Sequence, residues 1–193
     1  MRFRPTRTAR STVAGLKRRF RHRANVRLKP IDSPELIALV AGWLSQKENS
    51  QWLDFGDGRQ TLTPEWLKIM TQRDGHLLRV FTRDEDDTPI GLVALSEINR
   101  HFQTARIWVV VGDKSFLSRG YGTRATAAML TVAFRDLGLH SVNTWIVEGN
   151  PSLRMAPRLH FTLVGRQRQC HYIDGRSYDR FWFDILASEH KES

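Results

Sequence analysis

The sequence predicts an α+β fold: a single domain with a mixed, mostly antiparallel central sheet flanked by helices. Three observations carry this expectation. At 193 residues with 40% hydrophobic side chains, the chain is long enough for one sizeable core and too short for two comfortable ones. Its patterned segments run strand, two helices, three strands, helix, strand, helix, two strands. Strands joined by short polar turns pair antiparallel, and the one strand–helix–strand unit in this order supplies a parallel pair.

Each element has a local reason. Apolar and basic residues alternate from Val26 to Lys29, as in a short strand. Asp32-Ser33-Pro34-Glu35 places a cap residue, a proline and an acid ahead of Leu36, Ile37, Val40 and Leu44, which starts a helix. Thr63-Pro64-Glu65-Trp66 repeats the pattern and opens a second helix to about Gln72; the Gly-rich stretch from Gln51 to Thr61 between them reads as a loop. Leu77 to Arg83 and Ile90 to Ile98 are strand-like and flank a polar turn at residues 84–89, and Arg106 to Val111 is a third, apolar strand. Gly122 to Leu137 has helical spacing with Gly138 as its stop. Val142 to Val147 is a strand and Ser152 to Leu159 a short helix. Phe161 to Arg168 and Ser177 to Leu186 are strands around an Asp174-Gly175 turn.

The net charge of +10 suggests a nucleic-acid partner until it is divided along the chain. Residues 1–30 hold eleven of the 30 basic side chains and none of the 20 acidic ones, so the rest carries nineteen basic against twenty acidic groups. The excess belongs to an arm, residues 1–25, ahead of a nearly neutral domain at 26–187 and a short tail at 188–193. Three readings of the arm stay open: a flexible solvated extension, an electrostatic tether to RNA or an anionic membrane surface, and an Arg-rich organellar presequence. No apolar run approaches the roughly 20 residues that cross a bilayer. A single cysteine, Cys170, excludes a disulfide scaffold and a cysteine-based zinc site and suits a reducing compartment, hence a cytoplasmic location. The histidines at 101, 140, 160 and 171 form no i, i+4 pair, so no metal is expected.

The segment from Val109 to Arg124 is the most informative. An apolar strand, Val109-Val110-Val111, leads into Leu117-Ser118-Arg119-Gly120-Tyr121-Gly122-Thr123 and then a helix. Glycines there uncover backbone N–H groups, and the helix aims its unsatisfied N-terminal donors and positive dipole end into the same space, as a phosphate requires. Lys114, Arg119 and Arg124 can add positive charge. No Gly-Lys-Ser/Thr triplet completes a Walker loop, and Ala125 stands where a dinucleotide fingerprint needs its third glycine.

Leu117 to Gly122 resembles the Gln/Arg-x-x-Gly-x-Gly/Ala acyl-CoA loop of the GNAT superfamily of N-acetyltransferases, with Leu117 replacing the first residue. Asn150-Pro151-Ser152-Leu153-Arg154 through Leu159-His160-Phe161 is similar to the family's Asn…Ser-x-Arg…Leu-Gly-Phe segment, one residue shorter between Asn and Ser, with His160 where Gly is usual. Gly91 to Val111 looks like the family's paired central strands. Gly165-Arg166 to Asp179 looks like the closing hairpin of the branch containing ribosomal-protein N-terminal and spermidine acetyltransferases. The resemblance spans residues 26 to 187 and implies an N-acyltransferase that uses acetyl-CoA as co-substrate.

The implied reaction is attack of a neutral amine on a thioester, which needs a general base. Glu97, near a strand end that borders the acceptor cleft in this branch, is the first candidate, and Glu148 at the end of the next parallel strand is the second. The resemblance further implies an oxyanion-binding N–H from Val109 to Val111, where the strands splay around the cofactor. Ser152 matches a serine near the thiol, Ala156 replaces a tyrosine that many members use as acid, and Asn150 matches a residue that bonds the cofactor arm. Trp43, Trp52 and Phe55 are placed as an aromatic wall for the acceptor, with Asp54 and Asp57 to bind a cationic amine. Trp108, Trp145 and Trp182 are expected in the core. The acceptor is a small-molecule or peptide amine. The alternative is an RNA- or ribosome-associated protein that modifies tRNA-linked or ribosomal amines, or that binds without catalysis. The oligomeric state is open, a homodimer included.

Overall fold

The computed structural model describes residues 25–54 and 62–191. The basic arm, Phe55 and Asp57 therefore lie outside the described residues, apart from the arm's last position. The order is β1 (Val26–Lys29), α1 (Pro34–Ser45), α2 (Lys47–Ser50), α3 (Pro64–Thr71), β2 (Leu77–Arg83), β3 (Pro89–Asn99), β4 (Thr104–Val111), α4 (Tyr121–Thr131), β5 (Ser141–Val147), β6 (Thr162–Ile173) and β7 (Arg176–Leu186). The caps form as the sequence predicts. Ser33 Oγ accepts from the Leu36 N–H and Thr63 Oγ1 from the Trp66 N–H, both at 3.2 Å. The expected helix to Leu137 is α4 continued by one wider π turn, Val132–Asp136. The expected helix at 152–159 is two 3₁₀ turns, Pro151–Arg154 and Pro157–Leu159, because Pro157 has no N–H to continue a helix.

The strands form one seven-stranded sheet in the order β1-β2-β3-β4-β5-β7-β6. All neighbours are antiparallel except β4 and β5, the parallel pair joined through α4. Each face carries a core. Phe81, Leu95, Ile107, Ala125, Met129 and Ile185 pack with α4 on one side; Val40, Leu44, Leu67, Val80, Leu92 and Val110 pack with α1 and α3 on the other. Burial of each such large apolar side chain contributes about 1.5–3 kcal/mol. No helix among the described residues is long and apolar enough to cross a membrane.

Two expectations about tryptophan are corrected. Trp43 belongs to the core, 7% exposed, because Gly112 leaves it room: a Cβ there would overlap its ring. Trp108, half-buried, packs against the α1–α3 core as expected, whereas Trp145 and Trp182, also half-buried, belong to neither core. The β5–β7 face carrying Asn143, Trp145, Arg180 and Trp182 is met by the segment at Gln51–Asp54 instead of a long helix.

Candidate active site

The site begins where β4 and β5 part. They pair only at Thr104↔Ser141, Ala105↔Val142 and Arg106↔Asn143, while β4 stays paired to β3 as far as Val111. The Gly112 N–H donates to the Ile90 carbonyl at 2.9 Å, which fixes the alternation of that ladder. Leu92 and Val110 are the next mutually bonded pair, so Val109 and Val111 direct their N–H groups into the gap and Val110 does not.

Beyond the gap, the loop before α4 is held by its own turns. Asp113 Oδ1 accepts from the Ser115 N–H at 2.9 Å, and the Phe116 and Leu117 amides bond back to Asp113 and Lys114. Ser118 and Gly120 adopt left-handed backbone, φ +59° and +81°, a conformation glycine takes without the Cβ penalty. The amides of Ser118 to Thr123 take no part in those bonds and lie where the chain enters the N-terminus of α4. Arg124 folds back over Tyr121, 4.7 Å from the ring centroid, and reaches the Arg119 carbonyl at 3.3 Å. Arg119 is exposed and lies over Phe116 at 5.7 Å, outside the cleft wall. Lys114 does not serve the loop as expected. Its Nζ bonds Asn49 Oδ1 and the Val111 carbonyl, and burial holds its pKa below the ordinary lysine value.

Gap and loop are continuous with a cleft of about 890 Å³. Val109, Val110, Val111, Leu117, Ser118 and Gly120 line it, as do Tyr121, Gly122 and Thr123. Asn150 and Ser152 form its far wall; Asn150 Oδ1 accepts from the Ser152 N–H at 2.8 Å, so the asparagine caps the turn. Glu97 lines the cleft from left-handed backbone, φ +53°, at an irregularity in the β3–β4 ladder. Its Oε1 pairs with Arg106 Nη1 at 2.8 Å. Glu148 is exposed and lies outside the cleft wall, since its strand ends past the gap. Trp52 and Asp54 line the cleft, but Asp54 is ion-paired to Arg180 at 2.8 Å.

Sequence reasoning missed several of these residues. His76, between α3 and β2, lines the cleft, and burial, with Arg73, lowers its pKa against the opposing charge of Glu97. Arg106, Trp108 and Trp145 also line it. The alternation Arg106, Trp108, Val110 along one strand face was the only available signal for the first two. Nothing in the sequence pointed to Arg180.

A parted parallel strand pair leading to a glycine turn at a helix start is the arrangement that the resemblance to acyl-CoA-dependent transferases predicts. The chain belongs to the acetyltransferase (GNAT) domain family, whose profile matches residues 25–162. It is 26% identical over 172 residues to YdaF of Bacillus subtilis (strain 168), named as a ribosomal N-acetyltransferase, covering 84% of this chain and 90% of that protein. A second B. subtilis relative, the prophage-derived N-acetyltransferase YokL, is 23% identical over 126 residues, 65% of this chain and 70% of that one. The fold matches the crystal structure of spermidine N-acetyltransferase from Vibrio cholerae in complex with CoA and spermine, with a TM-score of 0.75 at 18% identity, covering 86% of this chain and 97% of that one. The protein is thus an N-acetyltransferase, and acetyl-CoA is its co-substrate.

Proposed function

We propose that this cleft passes the acetyl group directly to a primary amine, with Glu97 as general base. The observation that carries the reading is the position of Glu97, in the same cleft as the loop amides and beside the strand gap. Acetyl-CoA supplies the activated acyl carbon. The Ser118 to Thr123 amides hold its diphosphate, and the inward N–H groups of Val109 and Val111 bond its arm and support developing negative charge. Glu97 receives the ammonium proton on the oxygen that Arg106 leaves free. Ser152, whose amide and not its hydroxyl is engaged by Asn150, returns a proton to the departing thiolate. Trp52 forms part of the acceptor wall. The reaction is placed in the cytoplasm, where acetyl-CoA is supplied. The test is thiol release from acetyl-CoA across an amine panel, with calorimetry against CoA. Turnover of at least one amine and a measurable heat are expected, and no heat with any CoA derivative would overturn the reading.

The basic arm supports a second element of this proposal, contact with RNA near a ribosomal or tRNA-linked amine. Eleven basic and no acidic side chains in residues 1–30 make such an electrostatic tether. RNA affinity that falls steeply with salt and disappears on deletion of residues 1–25 is expected. Unchanged affinity after deletion would remove the arm from the proposal.

A further inference from the structure

We infer that the acceptor end of the cleft selects an amine bearing one positive charge and rejects polycations, because arginines already close two of its carboxylates, Asp54 and Glu97. The inference rests on the proposed transfer to an amine and names the class of that amine. A polyamine presents several ammonium groups and no hydrogen-bond acceptor when fully protonated, so its recognition requires several carboxylates free of other cations.

The acids along the described cleft wall are Glu48, Asp54 and Glu97. Asp54 Oδ2 accepts from Arg180 Nη1 at 2.8 Å. That guanidinium is fixed: its side chain is 12% exposed, its Nε and Nη2 lie 3.2 and 2.9 Å from His171 Nδ1, and its Cζ lies 4.0 Å from the Trp145 ring centroid. His171 is anchored in turn, since Nε2 donates to the Gln51 carbonyl at 2.6 Å. Glu97 pairs with Arg106, whose Cζ lies 5.4 Å from the Trp182 ring centroid. Trp145 and Trp182 are directly opposed across β5 and β7, so the two arginine–tryptophan stacks share one platform. A stacked guanidinium is weakly hydrated and held in plane, which makes it a persistent partner for a carboxylate. Among the described residues Glu48 alone remains, exposed, with its field acting on Lys114.

The same wall presents Arg106, Lys114, Arg154 and Arg158. Four cations against three acids repel a molecule of charge +3 more strongly than one of charge +1. A single ammonium still finds Glu97 Oε2 and the Trp52 ring on the cleft wall.

The test is calorimetric titration of spermidine, tyramine and alaninamide into the protein–CoA complex. The wild type is expected to bind at least one monoamine at least tenfold more tightly than spermidine. Arg180→Gln and Arg106→Gln, each releasing a carboxylate, are expected to narrow that ratio tenfold. Arg106 is more accessible than Arg180, with a side chain 25% exposed, so its variant decides the matter if Arg180→Gln does not fold. Spermidine bound as tightly as the monoamines, no binding of either monoamine, or an unchanged ratio in folded Arg106→Gln would overturn the inference. Absence of CoA binding would overturn the proposed function instead, and titrations into the free protein would still decide the amine preference.

Discussion

Glu97 reaches Arg106 from a left-handed backbone position, and the 2.8 Å bond between them falls on the residue that makes the last β4–β5 pair, Arg106↔Asn143, before the strands diverge. The bulge re-aims a carboxylate that a regular strand would have sent elsewhere. The ion pair is part exposed, with side chains 60% and 25% accessible, and a pair of this kind contributes at most about 1 kcal/mol to stability. Glu97→Gln is therefore expected to melt within a few degrees of the wild type. If Glu97 is the base, turnover near pH 7 falls by about 10²–10⁴-fold and recovers toward high pH, where free amine is abundant. Glu148→Gln is expected to keep wild-type turnover. A Glu97→Gln rate that stays depressed at every pH would assign the carboxylate to positioning.

Gly120 carries φ +81° immediately before α4. Any other residue pays a left-handed backbone cost of about 1–2 kcal/mol, or shifts the loop and its amides. Gly120→Val, being β-branched, is expected to weaken CoA binding at least tenfold by calorimetry while leaving the sheet intact by circular dichroism.

Gly112 is constrained from outside its own backbone. A side chain there enters the Trp43 ring, which α1 holds 7% exposed in the core. Gly112→Ala is expected to destabilise the fold by about 1–3 kcal/mol, the range for overpacking, and the thermal midpoint measures it. Trp43→Leu in the same chain should recover part of the loss by making room.

These two glycines show what was legible and what was not. The loop glycines are local signals, and the fold was readable for the same reason: the caps at Ser33 and Thr63 act within three residues, and the strand over Leu77–Arg83 follows its own side-chain pattern. His160, noted only as departing from a usual glycine, proves to occupy left-handed backbone at φ +64°, which gives that preference a physical cause. Contacts between distant segments left no such trace. Arg180 meets Asp54 across 126 residues and Lys114 meets Asn49 across 65. An aspartate in a loop, read alone, looks like a free anion, and a lysine beside a phosphate-binding turn looks like a phosphate ligand. Trp145 and Trp182 were misplaced because strand alternation tells which residues share a face but not whether a helix covers it.

Burial holds the His76 imidazole below its ordinary pKa of 6.5, with Arg73 acting in the same direction and Glu97 opposing. The folded protein therefore prefers the neutral ring, and below about pH 6.5 the unfolded chain binds more protons than the folded one. This contribution to stability is complete above that pH and is lost as pH falls toward the folded-state value. Urea denaturation at pH 7.5 and 5.5 is expected to show a smaller acid loss for His76→Gln than for the wild type. Equal losses would place the acid sensitivity elsewhere.

Ser152 and Asn150 separate catalysis from architecture within three residues. Asn150 Oδ1 satisfies the Ser152 amide at the start of the 3₁₀ turn, so the cap depends on the asparagine side chain and on the serine backbone. Ser152→Ala keeps that bond and removes only the hydroxyl on the cleft wall. It is expected to leave the melting temperature unchanged while lowering kcat at least tenfold, if the hydroxyl returns a proton to the thiolate. Asn150→Ala removes the cap, at a cost of about 1 kcal/mol, and is expected to lower thermal stability and CoA affinity together, because the turn it starts is also a wall of the cleft proposed to hold CoA. A Ser152→Ala enzyme with wild-type kcat would show that thiolate protonation comes from elsewhere, and Tyr121, also on that wall, would be the next side chain to replace with Phe.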